Sequence, residues 1–535
     1  MTILFDAFVR FGPRAAKHLH HAWKLEDVLG EMEHCSISGA LVTNTQCTQY
    51  DAMYSNLKLS DELEKYDHLF ALWNIVPPHN LEIPPLDEFL KIANQKDVRA
   101  FTIAPKTNNW DVKSETQIDF FKGLEKHGAP IFIEKGDIEW QDLEYVLNTF
   151  SKLNIVLTGA KWTEQRVLTP LLFNFKNIHI TFDKYQVHYG LEWLTENKLT
   201  SQLLFGTNAP EMSMGAHRCF LDYADISKED KEAIAWGNLS RLLKGAKPPR
   251  EIENKNEDEI MKEARAGKPL SCKLIDMHVH MLHEGLNGGG GSCAIYKGGP
   301  KGILALMKRL GYDYAGIMSW NGVVSCDSLG GNECVVEALE TFKEPFYGLA
   351  NFDPVHYTQE ELADLIPTFY KNHPRFIGMK PYWLYGKRYD DPLYDVWWKY
   401  GSSRKMYGLM HRTTNDYSEI ENLAKRYPDI TWLIAHCGAN YDVADGAIEV
   451  MKKFSNVFAE ITLTPVTFGV IDYLVKHIGP ERIIYGTDLP MRDPRQQLGW
   501  VIYSRIPVEQ KKMILGENAE RIISRVLPHT CWAGE

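Results

Sequence analysis

The sequence predicts an α/β protein built as two (β/α)8 barrels in tandem. Three observations carry this. From residue 273 onward, eight apolar runs alternate with segments of helical periodicity. The first half repeats fragments of that pattern at a nearly constant offset. The chain of 535 residues has room for two barrels of about 250 residues each.

The strands of the second half are expected in KLIDMHVH (273–280), YAGIMSW (314–320), FYGLANFDP (346–354), FIGMKPYW (376–383), KMYGLMHR (405–412), TWLIAHCG (431–438), VFAEITL (457–463) and IIYGTDLP (483–490). They are near-continuous apolar runs, as a parallel sheet buried on both faces requires. Between them GILALMKRL, NECVVEALETF, EELADLIPTFY, DYSEIENLAKRY, DGAIEVMKKF and GVIDYLVKHI carry apolar stripes at i, i+3, i+4, the signature of an amphipathic helix. Upstream, LFDAFVR (4–10) matches LIDMHVH at an offset of 270. LLFGTNAP (203–210) matches IIYGTDLP, and WGNLSRLL (236–243) matches GENAERII, both at 280. Offsets that grow slowly and in order indicate a duplicated domain with small insertions. The expected domains are residues 1–245 and 270–535. The linker, 246–269, is polar and charge-rich, opens with a Pro-Pro pair and includes a short solvated helix.

Composition narrows the function. The formal net charge is −11 and no long basic block exists, which argues against a nucleic-acid partner. No apolar stretch is long enough to span a membrane, and the N-terminus lacks the pattern of a secretory signal. The nine cysteines show no CxxC spacing and read as reduced thiols, so a cytoplasmic setting is expected. Cys437 is expected to be a small buried hydrophobe. The partner expected is a small-molecule substrate, and self-association into a homo-oligomer is left open.

The chemistry collects at predicted strand ends. His278 and His280 stand two apart on one strand and so face the same way. Lys380 ends the fourth strand, His411 the fifth, His436 the sixth and Asp488 the eighth. Barrel enzymes place their functional groups at these C-terminal ends. Imidazole nitrogens and a carboxylate converging from several elements are what a divalent first-row metal requires. Trp320, Tyr382, Trp383, Arg412 and Arg492 lie at or just beyond strand ends, where aromatic rings can stack on a substrate and arginines can bind a carboxylate. The Gly-rich stretch NGGGGSC (287–293) reads as a flexible loop over the barrel mouth. In the first half Phe8 and Arg10 replace the histidine pair, Ala104 stands for Lys380, Glu134 for His411, Gly159 for His436 and Asn208 for Asp488. That barrel is expected to bind no catalytic metal and to serve as a scaffold, or to supply a loop that caps its neighbour's pocket.

The combination of His278-Val279-His280 after an IDxH strand, Lys380, His411, His436 in IAHCG, Asp488 in ERIIYGTDLP and the closing GENAERII resembles the amidohydrolase superfamily, specifically its amidohydrolase-2 branch of hydrolases, lactonases and decarboxylases. The resemblance implies that His278, His280, His411 and Asp488 surround the metal. It implies that His436 is a further ligand or polarises the substrate, and that Asp488 takes a proton from activated water. The metal expected is zinc, with manganese as the alternative. Lys380 either bridges a second metal as a carboxylated lysine or binds a substrate anion. The leading function is hydrolysis of an amide, ester or lactone in a small polar substrate. A non-oxidative decarboxylase of an aromatic or unsaturated acid is the alternative, and a non-catalytic sensor or scaffold is a reading of another class.

Overall fold

The computed structural model describes residues 3–16, 18–289, 293–342, 344–411, 416–462 and 465–527. The chain divides into two compact units, one of Met1–Gln186 with Gly190–Glu257, the other of Val187–Tyr189 with Asp258–Glu535. Each unit carries one eight-stranded parallel sheet whose strands follow one another in chain order. The protein is thus an α/β chain of two tandem (β/α)8 barrels.

In the first unit the strands are β1 (Phe5–Phe11), β2 (Gly39–Asn44), β3 (Leu69–Asn74), β4 (Ala100–Thr102), β5 (Ile131–Glu134), β6 (Ile155–Thr158), β7 (Ile178–Thr181) and β8 (Leu203–Leu204). Phe5, Ala7, Leu41, Leu72, Phe132, Val156 and Leu204 belong to its buried core, together with Leu239, Leu242 and Leu243 of the closing helix. In the second unit they are β9 (Ile275–Met281), β10 (Tyr314–Ser319), β11 (Phe346–Ala350), β12 (Phe376–Met379), β13 (Tyr407–Met410), β14 (Thr431–Ile434), β15 (Val457–Ile461) and β16 (Ile483–Tyr485). These strands begin within two residues of the expected runs, but most stop short of their polar ends. Lys380, His411, His436 and Asp488 therefore follow the last sheet residue of their strands. Lys380 N still donates to Ala350 O and Asp488 N to His278 O, so inter-strand bonds hold these two residues at the mouth of the barrel.

A buried carboxylate makes the same joint in both barrels. Asp276 in β9 accepts hydrogen bonds from the Thr487 hydroxyl (2.5 Å) and from the amide of His278 (3.0 Å). Asp6 in β1 accepts from Thr207 (2.5 Å) and from the amide of Phe8 (3.1 Å). Beyond each joint the first and last strands pair. Asp488 N donates to His278 O, His280 N to Leu489 O, Asn208 N to Phe8 O and Arg10 N to Ala209 O. A five-residue π-turn follows in both units, at Ala233–Gly237 and Met513–Glu517. A second shared pair is Asn56 on Asn74 in the first barrel and Asn332 on Asn351 in the second. In each case the first side chain clasps the backbone of the second at the end of the third strand.

Two details differ from the sequence reading. The helix Glu259–Arg265, expected to be solvated, buries Ile260, Met261 and Ala264 and is capped by Asp258, whose side chain accepts from Met261 N. Its apolar residues fall at i, i+1 and i+4 and make a stripe narrow enough to be lost among the charges. In the Gly-rich stretch, Gly288–Gly289 pair antiparallel with Cys293–Ala294, while Gly290, Gly291 and Ser292 lie outside the described residues.

Asp276→Ala would leave the Thr487 hydroxyl and two buried amides without an acceptor, at a cost of about 1–3 kcal/mol. Chemical denaturation of this variant is expected to show the C-terminal transition at lower denaturant, and Asp6→Ala the N-terminal one. An unshifted midpoint in Asp276→Ala would show that the joint contributes nothing to closure.

Candidate metal centre

His278 and His280 leave β9 side by side, with ring centroids 5.2 Å apart. Asp488 arrives from the loop after β16 and sets Oδ1 3.3 Å from His278 Nε2 and 3.0 Å from His280 Nε2. All three are buried, and their ligand atoms lie within 4.8 Å of one another, so together they can hold a metal ion. Lys380 Nζ lies 3.2 Å from His278 Nε2 and is fully buried. Its position is fixed through the backbone, because Asn351 Nδ2 donates to the Lys380 carbonyl at 2.8 Å.

His436 and His411 form a second pair beside the trio. His436 Nδ1 faces the Thr462 carbonyl at 3.2 Å and must donate to it, which leaves Nε2 as the acceptor for His411 Nδ1 at 3.1 Å. Neutral His411 then presents a bare Nε2. His411 is thus brought next to His436 rather than into the trio, and His436 packs 5.4 Å from the His278 ring.

Backbone conformation marks two of these positions. His436 has φ 70° and Asp488 φ 63°, both in the left-handed region. Besides glycine, Asn, Asp and His are the residue types that adopt it most readily, and positions in this region collect at functional sites. In the first barrel the corresponding residues are Gly159 (φ 72°) and Asn208 (φ 57°), which take the same conformation. The backbone of the site is kept in both copies, while the chemistry is mounted only on the second.

Burial sets the charge states. It pushes His278 well below the usual histidine range, with Lys380 adding to the effect, and it lowers His280 as well. It takes His436 to about 3 and His411 to about 2, the latter helped by His436. All four imidazoles are neutral, the form that coordinates a metal. Burial also pushes the Asp488 carboxyl up. The Arg492 guanidinium beside it and the two histidines outweigh that effect and hold it well below the carboxylate range. Burial lowers Lys380 to about 8 against the pull of Asp488 and Glu460.

Glu460, on β15, is absent from the residues that the sequence singles out. It is fully buried, sets Oε2 3.4 Å from His278 Nδ1 and accepts from the His436 amide at 3.2 Å and from the Thr462 hydroxyl. Glu460 and His278 make no hydrogen bond in this geometry, and burial pushes the Glu460 carboxyl well above the usual carboxylate range; a carboxylate at this place can orient a ligating histidine once a metal draws the ring towards it. The signal is a lone charge inside the apolar run VFAEITL, since a buried strand holds a carboxylate only where partners meet it. This arrangement suits a divalent cation. Neutral imidazoles and an ionised carboxylate face one point, with an orienting carboxylate behind one of them.

Around the trio, Trp320 is buried with its ring 5.7 Å from His280, and Tyr382 packs 5.1 Å from His411. Arg492 is buried and pairs through Nη1 with Asp488 Oδ2. Arg412 lies outside the described residues. Trp383 is more than half exposed. Cys437 is buried with Sγ on the Ile434 carbonyl, a packing role. In the first barrel, Arg10 pairs with Glu134 at 2.7 Å and with Asn208 at 2.7 Å, so an ion pair occupies the positions of His280, His411 and Asp488.

No curated protein matches the chain. Among solved structures, a 2,6-dihydroxybenzoate decarboxylase from Rhizobium is similar at 14% identity and a TM-score of 0.37, over 46% of this chain and 99% of that one. A 5-carboxyvanillate decarboxylase from Sphingomonas paucimobilis is similar at 14% and 0.37, over 46% and 99%. An amidohydrolase from Burkholderia multivorans is similar at 11% and 0.37, over 47% and 98%. Residues 275–525 match the amidohydrolase family model, Amidohydro_2. That range runs from the first strand of the second barrel to its closing helix, so the likeness to the amidohydrolase family covers that barrel.

Proposed function

We propose that the C-terminal barrel is a divalent-metal-dependent enzyme that removes a carboxyl group non-oxidatively from a small aromatic or unsaturated acid. The observation that carries this reading is the division of labour within Asp488. One oxygen faces the histidine pair and the other is held by Arg492. A carboxylate engaged on both sides is a poor shuttle for the proton that hydrolysis must move from water to a leaving group. Arg492 and Lys380 supply buried cationic character beside the trio, and Trp320 and Tyr382 supply flat walls. A planar acid meets complementary chemistry on each side.

In this proposal His278, His280 and Asp488 are the ligands, with His411 joining them through its bare Nε2. The metal is zinc, which imidazole nitrogens suit, with manganese as the alternative. When bound it supplies a fixed positive charge for substrate oxygens. Arg492 and Lys380 hold the carboxylate that leaves as carbon dioxide. The electron pair of the broken C–C bond stays on the ring or alkene carbon, and that carbon takes a proton from a water molecule, leaving hydroxide. Hydrolysis of an amide, ester or lactone remains the second reading. It would require Arg492 to release Asp488. The first barrel, with Arg10, Glu134 and Asn208 at the ligand positions, is proposed to hold no catalytic metal. A cytoplasmic setting is part of this proposal, and among the described residues no helix is long and apolar enough to cross a membrane.

The products decide between the readings. Incubation with a panel of hydroxybenzoic acids and of aryl esters and lactones is expected to release carbon dioxide from an acid. Carboxylate release from an ester or lactone, with no carbon dioxide from any acid, would contradict the proposal. Arg492→Ala removes a charge-assisted contact of about 2 kcal/mol, roughly thirtyfold in kcat/KM. Unchanged kinetics in that variant would remove Arg492 from substrate binding. Glu460→Gln is expected to weaken metal retention against a competing chelator by about 10- to 100-fold, and equal retention would show that His278 needs no orienting carboxylate.

A further inference from the structure

A cavity of about 590 Å³ opens in the first barrel among the loops that follow β2, β3 and β4, at the C-terminal ends of these strands. Its size falls within the range of small-molecule sites, and its place is where barrel proteins bind ligands. Its wall holds an unusual set of buried polar atoms. Asn74 is 1% exposed, yet neither Nδ2 nor Oδ1 has a hydrogen-bond partner among the described residues. Asn108 Oδ1, Trp110 Nε1 and Gln117 Oε1 on the same wall are also buried without partners. A buried polar atom left unmet is costly, so a cluster of them calls for an occupant.

The second barrel shows what Asn74 has lost. There the equivalent Asn351 spends its Nδ2 on the carbonyl of Lys380 at 2.8 Å. In the first barrel Ala104 stands in the place of Lys380, and its carbonyl accepts instead from the amide of Asn108 at 2.8 Å. Asn56 still clasps the backbone of Asn74, at 2.7 and 3.0 Å, so the side chain remains held at the strand end with its former partner taken.

We infer that this cavity binds a neutral, polyhydroxylated molecule of monosaccharide size. The acceptors Asn74 Oδ1, Asn108 Oδ1 and Gln117 Oε1 outnumber the donors Asn74 Nδ2 and Trp110 Nε1, which suits a ligand rich in hydroxyl protons. Asp51 and Glu82 line the cavity and no described lysine or arginine does, so a carboxylate or phosphate is disfavoured. Tyr50 and Trp110 add ring faces for the C–H face of a sugar ring. The site is separate from the metal centre and does not depend on the reaction proposed for it.

Calorimetric titration of the full-length chain with glucose, galactose, mannose and myo-inositol tests this. At least one is expected to bind saturably. Trp110→Phe, which keeps the ring and removes the donor, is expected to weaken that binding roughly fivefold, and Asn74→Ala roughly tenfold. His278→Ala is expected to leave it unchanged. Absence of binding by all four, which would leave the cavity to water, overturns the proposal. So does binding that Trp110→Phe leaves intact, or binding that disappears with His278→Ala. Trp110→Phe decides the matter alone if Asn74→Ala does not fold.

Discussion

The hydrogen bond from the Thr487 hydroxyl to Asp276 is the joint on which the metal centre depends. Asp276 lies in the first strand of its barrel and Thr487 just after the last, so one buried carboxylate fixes the register in which the sheet closes. The same carboxylate caps the amide of His278. One residue beyond Thr487 the chain turns into the left-handed region and Asp488 faces the histidine pair. Closure and ligand geometry thus follow from one contact. A shift of register in a strand would turn each side chain to the other face.

Comparison of the two barrels separates what the fold needs from what the chemistry needs. Both copies keep the carboxylate–threonine joint, the clasped asparagine at the end of the third strand and the two left-handed positions. Only the second puts histidine and aspartate at those positions. Gly159 and Asn208 keep the same backbone without the ligating side chains, so the conformation belongs to the fold and the ligands to the second copy alone. Arg10, paired with Glu134 and Asn208, puts an ion pair in the first barrel where the second has a set of bare nitrogens facing one carboxylate.

Much of this is legible in the sequence. Buried parallel strands are runs of apolar residues, and a barrel displays its polar residues where those runs end, so the ends of the runs suffice to place His278, His280, Lys380, His436 and Asp488. Pairing among them is not encoded that way. Whether His411 meets the trio or His436 depends on ring orientations that spacing does not specify, and the engagement of Asp488 by Arg492 depends on the turn after β16. Glu460 stays hidden because its run reads as hydrophobic, and one carboxylate inside an apolar strand looks like an exception. The helix at 259–265 reads as solvated because its buried stripe, Ile260, Met261 and Ala264, is brief and set among charges.

The central claim is that one barrel of the two holds a catalytic divalent metal, at His278, His280 and Asp488. Elemental analysis of the full-length chain tests it most directly, with wild type compared against the double variant His278→Ala, His280→Ala and against Arg10→Ala. The account predicts that the wild type and Arg10→Ala retain the same amount of bound zinc or manganese and that the double variant retains none. Metal that persists in the double variant, or that is lost from Arg10→Ala while the fold is intact, would contradict it.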